Sequence, residues 1–279
     1  MRPTSSANFY INSLDKPVGQ RSGNFTIAKN QNLFSGFFNR IAVNEIVLDW
    51  GLPNVSSYWG NNTFSVTTSG ALAGTYPITI TDGFYTIEQL LNTILVALNL
   101  ATAVPGMFIL TDIGSTQALE IDQGVSASNY VINTGVLARQ LFASAFVGSA
   151  PSPLFPISSP RVLGTTFIDI VCSQLTYNQD VKDATTSPLV RDVLYRWYFS
   201  YDNVPIPTDG DKFPILQGYD PFVTRRTPPV VKQIRWSPIQ PIGQVSFEVY
   251  DDQGRIIDTA NFLSGANFQY QVSCLLSEE

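Results

Sequence analysis

Asp82-Gly83-Phe84-Tyr85-Thr86-Ile87-Glu88-Gln89-Leu90-Leu91-Asn92-Thr93-Ile94-Leu95-Val96-Ala97-Leu98-Asn99 is the stretch whose reading decides the fold. Ile87, Leu90, Leu91, Ile94, Leu95 and Leu98 recur at i, i+3, i+4, i+7, i+8 and i+11, the spacing of one face of an α-helix. Thr86 with Gln89 three residues on has the form of a capping box, which satisfies free backbone N–H groups at a helix start. A helix over about 86–99 is therefore predicted, and its apolar stripe needs a surface to cover. No other segment has this period. The remainder of the chain reads as strands and turns, so that surface is a β-sheet.

Working outward, period-two alternation marks Asn24 to Lys29, and a longer β-prone run covers Arg40 to Trp50, closed by a Pro53 turn. Thr63–Thr68 and Tyr76–Thr81 precede the helix. Met107–Asp112, Gln117–Asp122 and Tyr130–Asn133 follow it, with a short helical turn within Val136 to Phe146. In the second half the strand-like runs are Thr165–Ser173, Val193–Tyr201, Lys232–Trp236, Gln244–Tyr250 and Phe268–Leu276. Asp251-Asp252-Gln253-Gly254 is a tight hairpin turn. About a dozen short strands with frequent turn signals predict an all-β chain, a jelly-roll β-sandwich with one inserted amphipathic helix. The organisation expected is an N-terminal arm over 1–22 and a jelly-roll domain over 23–279, subdivided if anywhere at the Pro/Ser-rich 149–160. Residues 202–230, rich in Pro, Asp and Gly, read as one long loop.

Composition narrows function by exclusion. Of 279 residues 44% are hydrophobic and 12% aromatic, enough for a large core, whereas only 14% are charged, well below the usual quarter. A net charge of −6 and a pI near 4.7 lack the basic footprint of a general nucleic-acid binder. No apolar leader and no run of about 18 apolar residues is present, so neither secretion nor a membrane span is expected. The sequons at Asn24, Asn54 and Asn61 accordingly carry no expectation of glycosylation.

Histidine is absent, which removes the Ser-His-Asp and Cys-His arrangements and the commonest transition-metal ligand. Cys172 and Cys274 stand 102 positions apart without ligand spacing and read as buried thiols, or as a disulfide if their two strands are neighbours. Asp202, Asn203, Asp209 and Asp211 offer oxygen ligands but not the spacing of a calcium loop, and turn formation accounts for them. Nothing singles out Glu45 and Glu248, or any other carboxylate pair, as acid and base. Tyr195, Trp197, Phe199 and Tyr201 alternate along one strand, which makes a core stripe or, if exposed, a sugar-stacking face. No catalytic, cofactor-binding or metal-binding residue is expected, and no cofactor. The uneven feature is basic: Arg225, Arg226, Lys232 and Arg235 fall within eleven residues that contain no acid. They read either as a solvated strand edge or as an assembly contact.

In order along the chain, these features resemble the penton and minor capsid proteins of polinton-like, adintovirus and virophage-type double-stranded DNA viruses. The resemblance rests on Ile46 to Pro53, on Asn61-Asn62-Thr63-Phe64, on the Gly83-Phe84-Tyr85-Thr86 opening of a helix with the pair Leu90-Leu91, and on the hairpin Phe247 to Gly254. It spans about residues 9 to 258, and the 202–230 loop matches nothing in the pattern. The resemblance implies a non-enzymatic jelly-roll subunit of an icosahedral capsid. Five copies would ring each vertex as a homopentamer beside major and minor capsid proteins of the virion. In that setting Arg225, Arg226, Lys232 and Arg235 would be assembly contacts. Other readings are a double-jelly-roll minor or cement protein between capsomers, with halves meeting near 149–160, and a carbohydrate-binding β-sandwich of viral-spike or lectin type.

Overall fold

Strands with alternating apolar residues do form wherever the period-two pattern is long. A computed structural model describes residues 6–29, 33, 38–113, 116–122, 129–133, 135–142, 162–176, 193–199, 222–228, 233–235 and 242–278. In chain order the elements are β1 (Ser6–Asn12), β2 (Asn24–Ala28), β3 (Arg40–Gly51), β4 (Thr63–Ser69), β5 (Gly74–Thr79), α1 (Ile87–Thr102), β6 (Phe108–Ile113), β7 (Thr116–Ile121), β8 (Asn129–Ile132) and α2 (Val136–Leu141). They continue with β9 (Phe167–Val171), α3 (Ser173–Thr176), β10 (Val193–Tyr198), β11 (Phe222–Arg226), β12 (Gln233–Arg235), β13 (Gln244–Asp251) and β14 (Asn267–Ser277). The chain divides into two units, one of residues 1–52, 165–203 and 221–279, the other of 53–164 and 204–220.

The first unit is a jelly-roll-like β-sandwich. One antiparallel sheet runs β1-β14-β3-β11, with β12 also on β3, and the other runs β10-β9-β13-β2. In β14 the residues Phe268, Tyr270, Val272, Cys274 and Leu276 are buried while the residues between them are not, so one face of the pleat supplies core. Aromatic rings join the two sheets. Phe25 on β2 lies 6.1 Å from Tyr270, and Trp50 on β3 lies 4.6 Å from Phe199, just past β10.

Strand β3 pairs with β14 over twelve residues and keeps its apolar side inward by a bulge. Cys274 faces Val43 and Ser273 faces Glu45, which leaves Asn44 as the extra residue. Ile41 and Val43 before the bulge, and Ile46, Leu48 and Trp50 after it, therefore all reach the core although their parity differs.

The segment read as an N-terminal arm is, over residues 6–12, the edge strand β1 on β14. Its Ala7, Phe9 and Ile11 alternate with Asn8, Tyr10 and Asn12, a period-two pattern too short to stand out alone. Ser13 then fastens the chain: its buried hydroxyl accepts the Tyr270 backbone N–H at 2.9 Å. Within the loop expected over 202–230, residues 222–226 form β11, because Phe222-Val223-Thr224 are β-prone between prolines; residues 202–221 lie outside the described ones.

The second unit holds a three-stranded sheet, β5-β4-β8, the hairpin β6-β7, and helices α1 and α2. The predicted subdivision at 149–160 lies outside the described residues, and the division into units falls at 52/53, 164/165, 203/204 and 220/221. Helix α1 starts where the capping box places it: Thr86 Oγ1 accepts from Gln89 N, and Gln89 Oε1 accepts from Thr86 N at 3.1 Å. It runs three residues beyond the predicted end, to Thr102, and stops at Ala103 in the left-handed region, φ 55°. Ile87, Leu90, Leu91, Ile94 and Leu98 are buried in one cluster with Val66, Ile78 and Ile80 of the sheet region, Phe108 and Leu119 of the hairpin, and Leu137 and Leu141 of α2.

Candidate functional site

The basic run at 225–235 is not one patch, because a strand sends neighbouring side chains to opposite faces. Thr224 and Arg226 stand opposite Leu48 and Ile46, whose side chains are core, so Arg226 is directed toward the sandwich interior. Its guanidinium carbon lies 5.8 Å from the Trp197 ring of the other sheet, a cation–π contact. Nearby, burial pushes the Tyr195 phenol up, and the Arg226 charge opposes that rise.

Arg225 takes the outer face, where it pairs with Glu45 of β3. Arg235 also faces outward, exposed, with its Cα opposite Arg40. Lys232 lies outside the described residues. Of the four predicted contact residues, Arg225 and Arg235 thus share the outer face of the β1-β14-β3-β11 sheet, and Arg226 does not.

Besides Arg225, Arg235 and Arg40, that outer face carries two carboxylates among amides, hydroxyls and a few apolar side chains. Behind Arg225 and the 70% exposed Val223 come Glu45, Val47 and Asp49 of β3, then Asn267, Gln269, Gln271 and Ser273 of β14, then Asn8, Tyr10 and Asn12 of β1. Asp49 is held by the Asn267 amide at 2.9 Å. Tyr10 is 60% exposed. Amides, hydroxyls and isolated apolar side chains over one sheet face suit contact with another protein surface, whose core is depleted in charge.

The remaining chemistry is structural. Burial pushes the Cys172 and Cys274 thiols up to about 12, so neither is a nucleophile near neutral pH. Among the described residues no group of three Cys, Asp or Glu side chains is placed to hold a metal ion. Asp209 and Asp211 lie outside them. The aromatic stripe is core at its centre: Trp197 is buried and Phe199 packs against Trp50 with the rings tilted by 57°, while Tyr201 is not described.

One cluster escaped the sequence reading. Asp169 is 1% exposed, and Arg196 of β10 binds it with two hydrogen bonds, Nε to Oδ1 at 2.6 Å and Nη2 to Oδ2 at 2.8 Å. The guanidinium also lies 4.0 Å from the Phe167 ring centre. The signal was present in Phe167-Ile168-Asp169-Ile170-Val171, since a carboxylate within an apolar strand needs a partner.

In the second unit most polar side chains of 54–62 are turned inward, Ser57 being exposed. Asn54, Ser56 and Asn61 are buried. Asn54 accepts from Tyr85 N at 2.9 Å and donates to Tyr85 O at 3.0 Å. Asp82 accepts from Ser56 Oγ, from Ser57 N and Oγ, and from the Asn62 amide. These bonds fix the loop from which α1 departs. Among the described residues no helix is long and apolar enough to cross a membrane.

No protein-family model matches the sequence, and no curated protein sequence matches it. Solved structures do match in fold. The penton protein of mavirus superposes with a TM-score of 0.54 at 10% identity, covering 100% of both chains. A chain of the Sputnik virophage particle, determined by cryo-electron microscopy, gives 0.52 at 14% identity, covering 99% of this chain and 98% of its own.

Proposed function

We propose that this chain is a structural, non-enzymatic subunit of a virophage-type viral capsid, and within that class the penton. Five copies would close a ring at each vertex of the virion, flanked by major and minor capsid proteins. The observation that carries the reading is the end-to-end correspondence with a penton protein, which takes in both units and leaves neither chain with an unmatched domain.

Two physical features support it. A ring subunit carries two different faces that meet those of its neighbours, so much of its surface is contact surface. The outer sheet face described above has that composition. Residues 53–164 carry it further: their only charged side chains are Asp82, Glu88, Asp112, Glu120, Asp122, Arg139 and Arg161. On this reading Arg225, Lys232 and Arg235 are contacts to an acidic neighbour, and Arg226 serves the fold.

The test is copy number in purified particles. About sixty copies correspond to five at each of twelve vertices. Several hundred would replace the penton assignment with a minor capsid protein between capsomers, and absence from particles would overturn the capsid reading.

A further inference from the structure

The chain passes between the two units at 52/53, 164/165, 203/204 and 220/221, and the first two of these crossings, which bound the 53–164 segment of the second unit, are fastened within that segment itself. The buried Trp59 indole N–H donates to the Pro53 carbonyl at 2.8 Å, which holds the incoming segment. The outgoing segment lies flat against the same ring, because a Cβ on Gly164 would stand 2.2 Å from Trp59 Nε1 and 2.3 Å from Cε2. Only glycine allows this approach.

Side-chain amides make a second connection. Asn61 Nδ2 donates to Asn54 O at 2.7 Å and reaches Gln140 Oε1 at 3.4 Å, and Gln140 Nε2 donates to Leu163 O at 2.8 Å. Incoming residue 54 and outgoing residue 163 are thereby linked through two amides. Val55 and Val162, next to the two crossings, are both fully buried in the cluster that contains α1.

We infer that the 53–164 segment of this unit is self-closed and opens and unfolds cooperatively on its own while the sandwich stays folded. The two ends of this segment are tied to each other and to the cluster that contains α1. Cooperative opening of such contiguous substructures is how stability is distributed in folded chains. The inference is independent of the capsid reading.

The test is native-state hydrogen exchange of the full-length chain, with and without Gly164→Ala. Expected is about tenfold or faster exchange in β4, β5, α1 and β8 together, with β13 and β14 unchanged. Trp59→Phe keeps the ring and removes the N–H, and it should give a smaller acceleration of the same amides, which preserves the test if Gly164→Ala does not fold. Equal acceleration in both units, or none in the second unit for the variants that fold, overturns the inference.

Discussion

Arg196 and Asp169 sit on adjacent strands as a two-bond pair, 2.6 and 2.8 Å, with the carboxylate out of water. Removing one partner of such a pair leaves a charge buried without compensation. Arg196→Met should cost about 3–5 kcal/mol in denaturant unfolding, while Asp169→Leu combined with Arg196→Met recovers most of the loss. A single variant as stable as the parent would show that the pair contributes nothing.

The start of α1 depends on the reciprocal bonds of Thr86 and Gln89. Thr86→Ala removes the hydroxyl that accepts the Gln89 N–H and should destabilise the second unit by about 1 kcal/mol, whereas Thr86→Ser should fall within a few tenths. Exchange rates of the first-turn amides read this directly.

Leu91 is fully buried in the α1 cluster and Leu100, on the same helix, is 80% exposed. Leu91→Ala should cost about 2–5 kcal/mol, and Leu100→Ala less than about 0.5 kcal/mol. Comparable losses at both sites would mean that the outer side of α1 is also covered.

Some of this was legible in the residues and some was not. The helix was readable because its period and its capping box agree over twelve consecutive positions. Its end was missed because no glycine stops it; the left-handed turn falls on Ala103. The bulge at Asn44 exists only relative to β14, so β3 alone cannot reveal it. The Arg225-Arg226 pair looked like a patch because sequence proximity was read without the pleat, which sends one side chain out to Glu45 and the other in to Trp197. The subdivision expected at the Pro/Ser-rich 149–160 falls on residues outside the described ones. The crossings at 52/53 and 164/165 carry single turn-forming residues, Pro53 and Gly164, and the Trp59 contacts that give these two their role are invisible without coordinates.

Alkaline pH should weaken the sandwich through its two thiols. Burial raises Cys172 from 9.0 to about 12, and burial followed by the charge of Cys172 does the same for Cys274. Between pH 9 and 12 the unfolded chain loses these protons before the folded one does. Their contribution is therefore complete below pH 9 and declines as pH rises, by up to about 1.4 kcal/mol per pH unit for each thiol. Urea midpoints at pH 8 and pH 10.5 should differ more for the parent than for the double variant Cys172→Ala, Cys274→Ala; equal differences would remove the thiols as the cause.

If Arg225 is an assembly contact, Arg225→Glu should leave the isolated subunit folded, since an exposed ion pair contributes less than about 1 kcal/mol, and should lower its incorporation into particles. Arg226→Ala should do the reverse and lower the melting temperature first. Unchanged incorporation of Arg225→Glu would exclude the residue.

Asn54 and Asn61 use their side-chain amides in the network beneath α1, whereas Asn24 is exposed at the start of β2. All three occupy Asn-x-Ser/Thr triplets. A cell that attached sugars during synthesis would modify Asn54 and Asn61 before these bonds form, and the bulky adducts would then have no place in the finished interior. Production of the protein therefore calls for a host compartment without N-glycosylation: the exposed Thr63 can be replaced by alanine to remove the Asn61 acceptor, but the buried Ser56 of the Asn54 triplet holds Asp82.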